Sequence, residues 1–240
     1  VTPPSSSQPA SCLDVHALTI DMVRQRLAGY RAGGRDSGFR SDDDLNPGMP
    51  FPMPEAALKP AAVLIPIIDR PEGPSVLLTQ RVATLRAHAG QIAFPGGQLD
   101  GPHETPQAAA LREAQEEVGL EPHQVEVIAT LDCYRTRTGY IITPVVGIVQ
   151  PGFTLSLHAR EVAEAFEVPL SFLVDPARRV RDSRVYLGAP RFFYAIPYGE
   201  RYIWGATAGM IVNLADALSG CGQGDAGRTG AEQTEQGVTL

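Results

Sequence analysis

Apolar positions along the chain follow two spacings. In residues 14–30, Leu18, Met22 or Val23, and Leu27 recur at helical intervals and make one apolar stripe, with Gly29 standing where such a helix would stop. Residues 61–68 and 76–80 are instead short apolar runs joined by Asp69-Arg70-Pro71-Glu72-Gly73-Pro74, a strand, turn, strand pattern. Residues 125–133 and 141–149 predict two further strands, and 180–187 with 192–196 another pair. Helical spacing returns in 106–118, where Leu111, Ala114 and Val118 share a side. It returns again from Ile203 to about Leu218, where Ala208, Ile211, Val212, Leu214 and Leu218 are available for packing and Trp204 is expected in the core or docked on the helix. Short apolar runs alternating with helical stripes, punctuated by Gly and Pro, predict an α/β fold.

The remaining segments are polar. Residues 1–11 are rich in Pro and Ser and are expected to be disordered; residues 12–60 hold the first helix and a Pro-rich connection. Residues 61–218 are expected to form the main domain and 219–240 a flexible tail. Asp42-Asp43-Asp44, in the connection, reads as a solvated acidic loop rather than a cation site. A hydrophobic content of 43% over 240 residues is enough for a real core. The net charge of −7 gives no electrostatic footprint for nucleic acid or an anionic membrane. No run approaches the roughly 18 apolar residues of a membrane span. Cys12, Cys133 and Cys221 have neither disulfide nor metal spacing, and the first ten residues lack the basic and apolar parts of a secretory signal, so a cytoplasmic setting is expected.

The candidate chemistry lies in Arg112-Glu113-Ala114-Gln115-Glu116-Glu117. At about 100° per residue the three glutamates fall on one side of a helix, opposite the packing residues. Like charges so placed repel, and a hard divalent cation such as Mg²⁺ removes that cost, since it takes oxygen ligands from a few carboxylates and from substrate phosphates. Arg112 is placed to pair with Glu116 four residues on. Thr105 is a good N-cap, Pro106 suits the first helical position, and Gly119 is a natural stop. Upstream, Phe94-Pro95-Gly96-Gly97 supplies a backbone that a ligand can approach closely. Together these predict a metal-dependent phosphate site.

Gly97, Glu104 and the run from Arg112 to Leu120 resemble the box of the Nudix hydrolases, with six residues between Gly97 and Glu104 where the usual box has five. Leu77-Leu78-Thr79, Arg81, Arg86, Gly90 and Phe94-Pro95-Gly96-Gly97 resemble the signature that precedes the box in coenzyme A diphosphatases. That subfamily also tends to carry the longer spacing; Val82 departs from the small polar residue usual after the arginine.

The resemblance implies an α/β/α sandwich with a mixed sheet and a diphosphatase using Mg²⁺ or Mn²⁺. Glu116 and Glu117 would be the principal metal ligands, Glu113 would share coordination or act as base, and the Gly97 carbonyl would complete the shell. Arg112 would orient the carboxylates and Glu104 support the loop. Arg81 and Arg86, with Gly90, Phe94 and Gly96, would contact substrate, and His88 is left open. From residues 160–170, otherwise read as an exposed acidic loop, Glu161 first and Glu164 second could reach the metal site. The loop 134–140 resembles a substrate-facing loop but could equally be a hairpin end. The implied reaction cuts coenzyme A into 4′-phosphopantetheine and adenosine 3′,5′-bisphosphate. The alternatives are another Nudix substrate (ADP-ribose, a dinucleotide, a nucleoside triphosphate) or a non-catalytic nucleotide-binding module. A small-molecule partner is expected, with a homodimer possible and neither nucleic acid nor membrane.

Overall fold

The N-terminal apolar stripe becomes α1 (Ile20–Ala28), started by the Thr19 hydroxyl accepting the Met22 N–H at 3.3 Å and ended at Gly29. This computed structural model describes residues 14–33, 39–49, 54–83, 90–186 and 188–220. Residues 1–11, Arg86, His88, Cys12, Cys221 and most of the expected tail lie outside the described residues. A short strand β1 (Phe39–Ser41) precedes the two predicted strands, β2 (Lys59–Ile68) and β3 (Ser75–Arg81). Next come two short strands that apolar patterning did not predict, β4 (Ile92–Ala93) and β5 (Gly96–Gln98), and then α2 (Pro106–Val118).

The single strand expected over 125–133 is two: β6 (Val125–Thr130), whose register slips between Val127 and Ala129, and β7 (Cys133–Arg135). β8 (Tyr140–Val149) and β9 (Val162–Pro169) follow, then the short α3 (Leu170–Val174). Residues 160–170 are therefore mostly strand rather than an exposed loop, because β9 finds seven partners along β3. The chain closes with β10 (Val180–Tyr186), β11 (Ala189–Tyr198), β12 (Arg201–Trp204) and α4 (Ala206–Ser219). The stretch expected to open a helix at Ile203 is thus still strand, and the helix starts after Gly205, whose φ of 62° suits glycine.

Among the described residues β1 to β9 form one mixed sheet, with β2 and β8 parallel over ten residues from Lys59–Tyr140 to Ile68–Val149. Alternation along these strands divides the apolar side chains between two layers. Ile65, Ile67, Leu78, Val146 and Ile148 pack with α1, α3 and α4, and Ala62, Leu64, Leu77, Val145 and Val149 pack under α2. The architecture is the expected α/β/α sandwich. β10, β11 and β12 form a separate antiparallel sheet of three. No helix among the described residues is long and apolar enough to cross a membrane.

The acidic triplet is not a solvated loop. It forms a 3-10 turn (Asp42–Leu45) whose first two carboxylates are claimed from distant strands. Asp42 accepts from the Tyr134 hydroxyl at 2.6 Å and from Arg191 at 3.2 Å, and Asp43 accepts from Arg137 at 3.0 Å. These partners lie about ninety or more residues away, so local charge patterning could not reveal them.

A second polar cluster pins the N-terminal segment to α4. Arg40, 4% exposed, lies 3.4 Å from Asp132 and 2.6 Å from Asp216. Asp132 also accepts the Gly33 N–H at 2.7 Å. Removing one partner of a buried pair strands the other, which costs more than the pair contributes. Asp132→Ala is expected to lower unfolding free energy by roughly 3 kcal/mol in urea titration. Glu126→Ala, which breaks an exposed pair with Arg24, should change it by less than about 1 kcal/mol.

Candidate functional site

The box helix forms where its caps predict. Thr105 accepts the Ala108 N–H at 3.2 Å, Pro106 takes the first turn, and Gly119 closes it in the left-handed region. Ala109, Ala110 and Ala114 are fully buried against the sheet, so α2 lies close to it. Glu113 and Glu117, one turn apart, then reach β5, which is pinned to β2 through the pairing of Gly97 with Ala62. A Cβ on Gly97 would sit 2.3 Å from the Glu113 carboxyl carbon, so only glycine permits this approach.

The three glutamates do not share one fate. Glu117 is 3% exposed; its Oε2 accepts the Gly96 N–H at 3.3 Å and its Oε1 lies 3.4 Å from Arg81. Burial outweighs these long contacts and, with the charges of Glu113 and Glu161, pushes the Glu117 carboxyl up to about 7. Burial also raises Glu113, opposed by Arg112 at 2.8 Å and reinforced by Glu116 and Glu161. The expected pair of Arg112 with Glu116 is present at 3.6 Å, with the Glu116 side chain 62% exposed. Arg112 is held more closely by Glu104, at 2.9 and 3.2 Å, by Glu113 and by the Gln98 carbonyl. Glu104 also accepts the Asp100 N–H, tying the loop to the helix.

Glu113, Glu117, Glu161, Arg81, Gly96 and Gly97 line a cavity of about 550 Å³. Phe94 lines it too; Gly90 is not among the lining residues and donates to the Arg81 carbonyl at 3.2 Å. Glu164 is not among the lining residues: it is engaged by Arg201, which also stacks on Phe166. The loop 134–140 does face the cavity, contributing Thr136, Arg137, Thr138 and Tyr140. Lining residues that sequence patterning does not single out as contacts include Arg191, Trp204, Thr207 and Met210. Trp204 is partly buried, between Arg184 at 4.1 Å and Phe193 at 5.3 Å, directly ahead of the Gly205 that precedes α4. The one local signal for this wall was the Gly205 break ahead of an apolar helix.

Divalent cations suit this donor set. Glu113, Glu117 and Glu161 offer hard oxygens, and the first two carry raised pKa values because burial outweighs the nearby arginines. Among the described residues no three ligating side chains are drawn around one point; Glu113 is paired with Arg112 and Glu117 lies 3.4 Å from Arg81.

A family model described as the NUDIX domain matches residues 58–181. A relative from Photorhabdus laumondii, named uncharacterized Nudix hydrolase NudL, is 45% identical over 166 residues, covering 66% of this chain and 84% of its own length. The protein of the same name from Klebsiella pneumoniae strain 342 is 46% identical over 163 residues, covering 65% and 80%. Among solved structures, RenU, a Nudix hydrolase from M. smegmatis, aligns with a TM-score of 0.41 at 30% identity over 47% of this chain and 71% of that one. A C. elegans Ap4A hydrolase binary complex aligns with a TM-score of 0.40 at 21% identity, covering 46% and 80%.

The raised Glu117 pKa makes a signed prediction. A carboxyl held protonated to about 7 in the fold, against about 4.5 when unfolded, adds stability below pH 4.5 that is lost as pH rises through 7. In chelator, wild type should lose roughly 3 kcal/mol more than Glu117→Gln between pH 4.5 and pH 8. Parallel pH profiles of chemical denaturation would count against a buried, charged Glu117.

Proposed function

The chain belongs to the Nudix family, and from that premise we propose that it hydrolyses the diphosphate linkage of coenzyme A or its derivatives, releasing 4′-phosphopantetheine and adenosine 3′,5′-bisphosphate. The observation that carries this reading is the lining of the cavity, which combines carboxylates and Arg81 beside the Gly96-Gly97 strand with Ile142, Trp204 and Met210 and the hydroxyls of Thr136, Thr138 and Tyr140. Two other arginines of the described lining are answered by carboxylates, Arg191 by Asp42 and Arg137 by Asp43. An apolar wall with scattered hydroxyls suits an uncharged, amide-bearing arm such as pantetheine.

Glu113 and Glu117 would hold a Mg²⁺ or Mn²⁺ ion, with Glu116 and the Gly97 carbonyl as further ligands. A bound divalent ion supplies neutralisation of developing phosphoryl charge and a lowered pKa for water. Arg112, fixed by Glu104, keeps Glu113 in one rotamer, and the orientation of that carboxylate survives substrate exchange. Arg81, which among the described residues meets Glu117 at 3.4 Å, would turn to a phosphate oxygen. Glu161, just ahead of β9, lines the same cavity and is the candidate to accept the proton of the attacking water. Arg86, from the segment outside the described residues, is proposed as a second phosphate contact.

With pure protein, coenzyme A and Mg²⁺ or Mn²⁺, mass spectrometry should find both halves of the substrate, and chelator should abolish them. Preferential turnover of ADP-ribose or a dinucleotide would replace the coenzyme A assignment. Glu117→Gln should cut turnover at least about 100-fold, and Mn²⁺ should raise the melting temperature of wild type but not of this variant. Ile142→Glu should raise KM for coenzyme A about tenfold while leaving any ADP-ribose turnover unchanged; an equal loss on both would place the nucleotide, not the arm, against this wall.

A further inference from the structure

The separate sheet ends in an unpaired strand. β10 bonds to β11 along one side only, and no strand among the described residues covers the other. All seven of its residues are exposed. Four large hydrophobic side chains stand exposed among the described residues, and three of them, Val180, Val185 and Tyr186, lie on this strand, with Val185 at 79%. The Ser183 N–H points to its neighbour's carboxylate, Asp182 Oδ1 at 2.7 Å, rather than into a ladder. Natural edges are usually blunted by shortness, proline or charge; this one is seven residues long, with apolar residues at both ends flanking Arg181, Asp182 and Arg184.

We propose that two copies of this chain associate through β10, antiparallel about a two-fold axis at Ser183, joining their three-stranded sheets into one of six. The sequence Val180-Arg181-Asp182-Ser183-Arg184-Val185-Tyr186 is self-complementary in that register. Asp182 falls opposite Arg184 of the second copy, twice by symmetry, and Val180 falls opposite Tyr186. A two-fold interface requires such self-complementarity. Shifting the register by two would set Asp182 opposite Asp182 or Arg184 opposite Arg184, which repel. The Ser183 N–H, satisfied within its own strand in the monomer, gains a carbonyl across the axis. Asp182 and Arg184 then form the pairs in which side chains approach closest. Asp182 and Arg184 share the sheet face of Phe193 and Trp204, so the added strand extends the surface that borders the cavity. This association stands independently of the proposed reaction.

A pair of seven-residue strands buries less than the roughly 1,200 Å² of a standard interface, so the dimer is expected at roughly 10 to 100 micromolar. Sedimentation velocity should resolve a monomer–dimer equilibrium there. Asp182→Arg and Arg184→Asp should each raise the dissociation constant about tenfold, and the double swap should restore it. Ser183→Cys should form an interchain disulfide under mild oxidation that wild type does not, because paired residues on the axis lie about 5.5 Å apart. A single monomeric species up to about 500 micromolar, or a dimer indifferent to both charge changes and to Ser183→Cys, would overturn the proposal.

Discussion

The ten-residue parallel pairing of β2 with β8 is the constraint on which the rest of the molecule depends. Two strands buried on both faces need apolar residues at every position, and alternation then sends them to two separate layers. One layer accepts α2, whose buried alanines let it lie close. The same β2 carries β5 on its other edge near the N-terminal half. The helix and the glycine strand are thus fixed to one scaffold, and the distance between Glu113 and Gly97 follows from it. A site built this way is set by main-chain pairing rather than by loop conformation.

That rigidity creates an electrostatic tension. Packing α2 tightly buries Glu117 and partly buries Glu113, while the nearby arginines answer them unequally. Arg112 is spent on Glu104 and Glu113, and Arg81 stays 3.4 Å from Glu117. Removing carboxylates from water without full compensation raises their pKa values, which is how a fold stores affinity for a cation.

The cavity beyond the carboxylates is assembled from segments far apart in sequence. The Asp42 turn, the loop after β7, β11 and the start of α4 meet there. Two pairs of their charges cancel, Asp42 with Arg191 and Asp43 with Arg137.

Local signals in the sequence were sufficient for features governed by neighbours within a turn or a strand. Thr105, Pro106 and Gly119 delimited α2, and the apolar runs at 61–68 and 76–80 announced β2 and β3, because capping and alternation are short-range effects. The spacing of Gly97, Glu104 and Arg112 to Glu117 also marked the family. Helical geometry alone could not tell that Glu117 turns inward and Glu116 outward, since both lie on the same broad face and only the position of β5 separates them. Nor could it reveal that Asp42 and Asp43 are matched by arginines from β8's approach and β11, or that Trp204 borders the cavity. Those outcomes depend on contacts between residues tens to more than a hundred positions apart, whose energies exist only once the sheet has brought them together.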